Sequence, residues 1–165
     1  VECDVGRVVG CDELVRLVAT FRRNKESVAL ANGCFDLLHV GHIRYLQGAK
    51  LEADRLVVAI NDDSSVTAIK GAGRPILPAS ARAELVSALL VVDAVVIFSG
   101  LTVNDLLRTI QPDVHCKGTD YTVETVPERE TVLAYGGRTA IVGDPKGHST
   151  RDLLARIKQR VDKID

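Results

Sequence analysis

The chain has 165 residues, of which 46% are hydrophobic and 26% charged, with a formal net charge of −1. That length suits one compact domain with a real core and is short for two, so residues 1–165 are read as one unit that includes an N-terminal helical segment over 1–26. The near-neutral balance, the lack of Trp and an aromatic content of 4% argue against a nucleic-acid surface or a basic membrane-binding helix.

Taken in chain order, Asp12 is placed to cap a first helix whose apolar face carries Leu14, Leu17, Val18 and Phe21. The apolar run 28–31 reads as a buried strand and passes into the turn GCFDLLHVGH, residues 33–42. A helix is expected over about 41–53, and Leu56-Val57-Val58-Ala59-Ile60 is a β-rich run of the kind buried on both faces. A polar helix follows near 63–70, then the Gly/Pro-rich loop GAGRPILP at 71–78 and a helix over about 79–91. The apolar stretch LVSALLVV within it suits either core or a dimer face. The pattern continues with a strand at 94–98, a helix near 102–110 and a strand at 113–116. Last come the loop KGTDYTVET, a helix near 127–135, a strand at 139–142, the loop GDPKGHS and a helix from about 149 to 161. Five strands alternating with helices predict an α/β fold: a doubly wound, Rossmann-like domain with a five-stranded parallel sheet.

No apolar run approaches the roughly 20 residues that a bilayer span requires. The four cysteines, at 3, 11, 34 and 116, form no CxxC pair and no histidine sits at metal-site spacing, so reduced thiols, a cytoplasmic location and no metal held by protein ligands are expected. No signal peptide is recognisable, and Val1 in place of a start methionine leads to the expectation of a processed chain or a piece of a longer one.

In such a sheet, ligands bind beyond the carboxyl ends of the strands, where strand order reverses. Three polar loops should meet there: 33–42, 117–125 and 143–149. Gly33 suits a turn or a close ligand, and Gly41 would keep a helix start clear for a phosphate resting on amide N–H groups. His39 and His42, three residues apart, should face one side and could donate to phosphate oxygens; a cap and a surface residue are the ordinary alternative. Ser149 or Thr150 suits a plain N-cap, or a second anion seat together with Lys146, Gly147 and Arg151. Lys117 could meet a phosphate and Asp120 a ribose or base, against the alternative of a solvated loop. Lys70, Arg74 and Arg82 read equally as surface cations.

The ordered set GCFDLLHVGH, VVAINDDSSV, KGAGRPILPASAR, VDAVVIF, KGTDY and HSTRDLLARI resembles the nucleotidyltransferases with an HxGH signature. Within them it is most similar to the D-glycero-β-D-manno-heptose 1-phosphate adenylyltransferases, which also occur as the C-terminal half of a bifunctional enzyme. The resemblance implies transfer of AMP from ATP to a heptose 1-phosphate, giving ADP-heptose, a lipopolysaccharide precursor, and pyrophosphate. The alternative is a cytidylyltransferase acting on glycerol 3-phosphate or another small phosphorylated alcohol. It implies catalytic roles for His39 and His42, and nucleotide contacts from Gly33, Cys34, Phe35, Gly41, Lys117, Gly118, Asp120, Ser149 and Thr150. Asp36, Lys70, Arg82 and Lys146 fall to substrate binding, Mg²⁺ is expected mainly on the ATP phosphates, and a homodimer is the suggested assembly. Two departures stand out: Asp144 occupies a position where relatives carry Arg, and His148 one where an apolar residue or Cys is usual. A nucleotide-binding module without turnover is the rival from another class.

Overall fold

The structure, a computed structural model, describes residues 6–145 and 147–162. The strands are β1 (Arg7–Val9), β2 (Val28–Gly33), β3 (Arg55–Asn61), β4 (Ala94–Phe98), β5 (Val114–Gly118) and β6 (Arg138–Val142). The helices are α1 (Cys11–Arg23), α2 (Val40–Lys50), α3 (Asp63–Lys70), α4 (Ala79–Ser87), α5 (Asn104–Ile110), α6 (Arg129–Ala134) and α7 (Thr150–Val161). All strand pairs are parallel, in the order β1-β4-β3-β2-β5-β6.

The sheet has six strands where the sequence pattern predicts five. The additional strand, β1, lies at the edge, with Arg7, Val8 and Val9 opposite Ala94, Val95 and Val96. Three residues between two glycines carry no readable alternation. Gly6 is what lets them dock, since a Cβ there would stand 2.5 Å from the Val92 carbonyl oxygen. The segment before β2 therefore holds a strand as well as the expected helix. Gly10, not Asp12, is the N-cap of α1; Asp12 and Glu13 sit in its first turn and Arg22 and Arg23 in its last, as the helix dipole favours. The helix expected over 79–91 stops at Ser87. Val86 and Val92 are buried, while Leu85 and Leu90 are exposed.

The run Leu56–Ile60 is buried on both faces, as its composition predicts. Alternate residues divide between two cores. Ala29, Ala31, Leu56, Val58 and Ile60 pack with Leu46 and Ala49 of α2 and Ala83 and Val86 of α4. Val28, Leu30, Val57 and Ala59 pack with Leu14, Val18 and Phe21 of α1 and with Leu107 and Ile110 of α5. Each fully buried Val, Leu or Ile side chain among them stabilises the fold by about 1.5–3 kcal/mol. Helices thus cover both faces, and the carboxyl edge of the sheet carries the polar loops. The reversal of strand order falls at β2, which has β3 on one side and β5 on the other. No helix among the described residues is long and apolar enough to cross a membrane, and Cys11, Cys34 and Cys116 are free thiols.

One buried group makes this core sensitive to acid. His115 of β5 is fully buried, with Nε2 2.9 Å from the Asn32 Oδ1. Burial, and secondarily the Lys117 charge, push its pKa down to about 3. An unfolded histidine titrates near 6.5, so between those values the unfolded chain binds the additional proton and stability falls as pH falls. Chemical denaturation at pH 7 and pH 4.5 should show the wild type losing stability faster than His115→Gln, by up to about 1.4 kcal/mol per pH unit. Equal losses would show that His115 is not buried neutral.

Candidate active site

The β2–α2 loop begins with a buried charge. Asp36 is 2% exposed; its Oδ1 accepts from the Ile76 and Leu77 amides at 2.7 and 3.1 Å, and its Oδ2 from Arg74 Nε. Burial alone would raise its pKa, but the bonds from Leu77, Arg74 and Ile76 outweigh that and hold it below the usual carboxylate range. Asp36 thus ties the β2–α2 loop to the 71–78 loop. Arg82, 0% exposed, does the same from α4: it donates to the carbonyls of Leu77, Cys34 and Asn61 and pairs with Asp63 at 2.6 Å. Both residues are expected from the resemblance to bind substrate. In the structure their polar atoms bond within the protein, and neither lines the large cavity at the sheet edge.

Phe35, between these anchors, has a left-handed backbone (φ 48°) and a buried ring. A Cβ on Gly33 would lie 3.2 Å from that ring, so Gly33 makes room for Phe35. The ring then supports His42, with centroids 5.2 Å apart. Cys34 is half-buried, its thiol 3.9 Å from Asn61 Oδ1, and burial raises its pKa against the pull of Lys70, Arg82 and Arg74. Gly33, Cys34 and Phe35 stand behind the cavity wall.

α2 starts at Val40, with His39 in the N-cap position but without a side-chain capping bond. The His39 ring instead folds over Gly41 and stacks on His42, with centroids 3.9 Å apart and planes 25° apart. Gly41 permits this, since a Cβ there would lie 3.0 Å from His39 Cε1 and Nδ1 and 3.3 Å from the His148 carbonyl oxygen. Both Nδ1 atoms are buried without a hydrogen-bond partner among the described residues. Burial, then the neighbouring His39, lower the His42 pKa to about 4. For His39, burial and then His148 lower it, opposed by Asp152. The pair is therefore neutral at pH 7.

Opposite stands the start of α7. Ser149 is its N-cap; its hydroxyl accepts from the Asp152 amide and donates to Asp152 Oδ2 at 2.7 Å. Both readings of Ser149 therefore survive: it caps the helix and it faces the cavity. His39, Gly41, His42, Ser149 and Thr150 line one cavity of ≈ 800 Å³, as do Lys70, Gly118 and Asp120. Lys117 does not: it is 8% exposed, 3.4 Å from buried Glu128 and 5.1 Å from the Tyr121 ring centroid. It supports the loop that brings Gly118 and Asp120 forward. Lys146 lies outside the described residues.

Three wall residues lie outside the site expected from the sequence. Arg44, two residues past His42, pairs with Asp144 at 2.8 Å and supplies a cation where the 144 position lacks one. Arg74 and His148 also line the cavity.

The family model described as "Cytidylyltransferase-like" matches residues 30–162, most of the chain. The chain belongs to the cytidylyltransferase-like family. This membership makes it a nucleotidyltransferase. It is similar to the "Bifunctional protein HldE" of Koribacter versatilis (strain Ellin345), 48% identical over 150 residues, covering 91% of this chain and 31% of that protein. Its namesake in Pseudomonas paraeruginosa (strain DSM 24068 / PA7) is 42% identical over 153 residues, 93% of this chain and 32% of that one. The Gluconobacter oxydans (strain 621H) protein of that name is 42% identical over 151 residues, again 92% of this chain and 32% of the relative. The chain spans about a third of the length of these relatives. Among solved structures, the lipopolysaccharide core biosynthesis protein from Thermoplasma volcanium GSS1 superposes with TM-score 0.62 at 28% identity, covering 73% of this chain and 99% of that one.

The stacked pair makes a prediction by itself. NMR of the imidazole signals should find His42 titrating near 4 in the wild type and closer to the ordinary 6.5 in His39→Ala, which removes both a cover and a repelling charge. An unchanged or lower midpoint would contradict that origin.

Proposed function

We propose that the chain transfers AMP from ATP to a heptose 1-phosphate, giving ADP-heptose and pyrophosphate. The observation that carries nucleotidyl transfer is the meeting of two helix starts, α2 with its stacked imidazoles and α7 with its Ser149 cap, across one cavity. The relatives named HldE and the lipopolysaccharide core protein support the choice of sugar phosphate.

An acceptor phosphate is already ionised and needs no general base, so the protein's task is alignment and charge neutralisation. In this reading an acceptor oxygen attacks the α-phosphorus of ATP. A P–O bond forms, the bond to the β-phosphate oxygen breaks, and the electron pair departs with pyrophosphate. The first amides of α2 and α7, those preceding His42 and Asp152, have no intrahelical acceptor and are open to the negative oxygens. His39 and His42 donate ring N–H groups to the phosphoryl oxygens. A bound polyphosphate favours the imidazolium form, so their low pKa values in the free protein should rise on binding.

Mg²⁺ belongs to the same proposal. Of the wall carboxylates Asp120, Asp144 and Asp152, the last two are engaged by Arg44 and Ser149, a donor set that fits a cation held mainly through triphosphate oxygens and water. When bound, it supplies further neutralisation of the transferring and departing phosphates. A cytoplasmic location, with ATP at hand, completes the reading. The second reading, a cytidylyltransferase for a small phosphorylated alcohol, rests on the family's description.

The test is pyrophosphate release from ATP and from CTP, each with heptose 1-phosphate, glucose 1-phosphate and glycerol 3-phosphate. ATP with heptose 1-phosphate should turn over fastest, and His39→Ala and His42→Ala should each lower kcat by about a hundredfold to a thousandfold with the fold intact. Preference for CTP with glycerol 3-phosphate would support the second reading. Nucleotide binding without pyrophosphate release on any acceptor would support the module without turnover.

A further inference from the structure

The cavity wall carries a cation that is held at one end and left open at the other. Arg74 sits in the 71–78 loop, its side chain 19% exposed, and gives its Nε–H to Asp36, whose side chain is 1% exposed. Asp36 also takes the Ile76 and Leu77 amides, and Thr67 Oγ1 donates to the Arg74 carbonyl at 2.7 Å. Main chain and side-chain stem are therefore both fixed. No side chain among the described residues takes Nη1 or Nη2, and Arg74 lines the ≈ 800 Å³ cavity beside Lys70.

A purely structural Arg–Asp pair would use the guanidinium fork bidentately. Here the carboxylate occupies only the inner Nε, while two of its remaining lone-pair directions go to backbone amides. The outer fork, with four N–H donors, stays available to a second oxyanion. Its orientation is set in advance, so little rotamer freedom remains to be lost on binding.

Topology separates this fork from the α7 start and the 118–120 loop. Arg74 and Lys70 come from the segment that follows β3, on one side of β2. The α7 start and the 118–120 loop follow β6 and β5, on the other side. Two phosphates must approach each other in nucleotidyl transfer, and two like-charged groups need separate seats. We propose that Arg74, oriented by Asp36, grips the phosphate of the acceptor, so that the acceptor class is a phosphomonoester held by its dianion. This rests on the nucleotidyl-transfer reading and adds to it the acceptor's seat and charge. An acceptor oxygen not engaged by the fork forms the new P–O bond to the α-phosphorus, and the departing pair leaves on pyrophosphate as before. Asp36 is a positioning residue in this scheme: it never meets substrate.

Initial rates with ATP and heptose 1-phosphate varied in turn test this, alongside calorimetric titration of inorganic phosphate into the enzyme. Arg74→Ala should raise the acceptor KM by about tenfold to a hundredfold, leave the ATP KM within about twofold, and weaken phosphate binding by a similar factor. Arg74→Lys should recover part of the loss. Asp36→Asn turns an amide toward Arg74 Nε and should shift the acceptor KM in the same direction without moving the ATP KM. If Asp36→Asn does not fold, the Arg74 variants decide alone. An unchanged acceptor KM in Arg74→Ala, or a rise confined to the ATP KM, overturns the proposal. Should the wild type turn over no acceptor, the proposed reaction fails, yet equal phosphate affinity in wild type and Arg74→Ala would still reject the grip and unequal affinity would support it.

Discussion

A methyl group at residue 41 would touch the His39 ring at 3.0 Å and crowd the His148 carbonyl at 3.3 Å. The missing β-carbon is what lets three parts of the site close on one another. The His39 ring lies back over the first turn of α2, His42 stacks beneath it, and the chain entering α7 passes close above. The stack in turn desolvates both imidazoles and lowers their pKa values. Glycine at this position serves packing between side chains and loops; no left-handed backbone is involved, for residue 41 belongs to the helix.

Behind this face stands a layer of buried charge. Asp36, Arg82, Lys117 and Glu128 are each nearly or fully withdrawn from water. Burying a charge is costly unless it is paired and hydrogen-bonded. Arg82 meets the requirement with four bonds to three carbonyls and a carboxylate, Asp36 with two amides and Arg74. Their partners lie in different loops, so the same bonds that satisfy the charges also fix loop to loop. The β2–α2 loop and the 71–78 loop are thereby tied together, a fixed placement of the kind alignment catalysis demands.

The parallel sheet was legible because its central strands are continuous apolar runs such as Leu56–Ile60, and the convergence of three loops followed from their position after β2, β5 and β6. The edge strand β1 was not legible: three residues pair with β4 through contacts that no local pattern encodes. At the site, His39, Gly41, His42, Gly118, Asp120, Ser149 and Thr150 stood out through spacing and resemblance, and they do share one cavity. Asp36, Arg82 and Lys117, expected to face a ligand, are buried outside the cavity lining and bond to other parts of the protein. A charged side chain in a motif looks alike whether it faces a ligand or another loop, and only its burial distinguishes the two. Arg44 was unremarked and Arg74 read as a surface cation, yet both line the cavity, a facing decided by tertiary packing.

The polarity of the cleft comes from its helix starts and the cations of its wall, Arg44, Lys70, Arg74 and Arg151, since the net charge is only −1. The direct measurement is a crystal structure with a non-hydrolysable ATP analogue. The triphosphate should lie between the starts of α2 and α7, with ring nitrogens of both His39 and His42 within hydrogen-bond reach of its oxygens. A nucleotide seated elsewhere, or one in this cavity with its phosphates turned away from both imidazoles, would contradict the account.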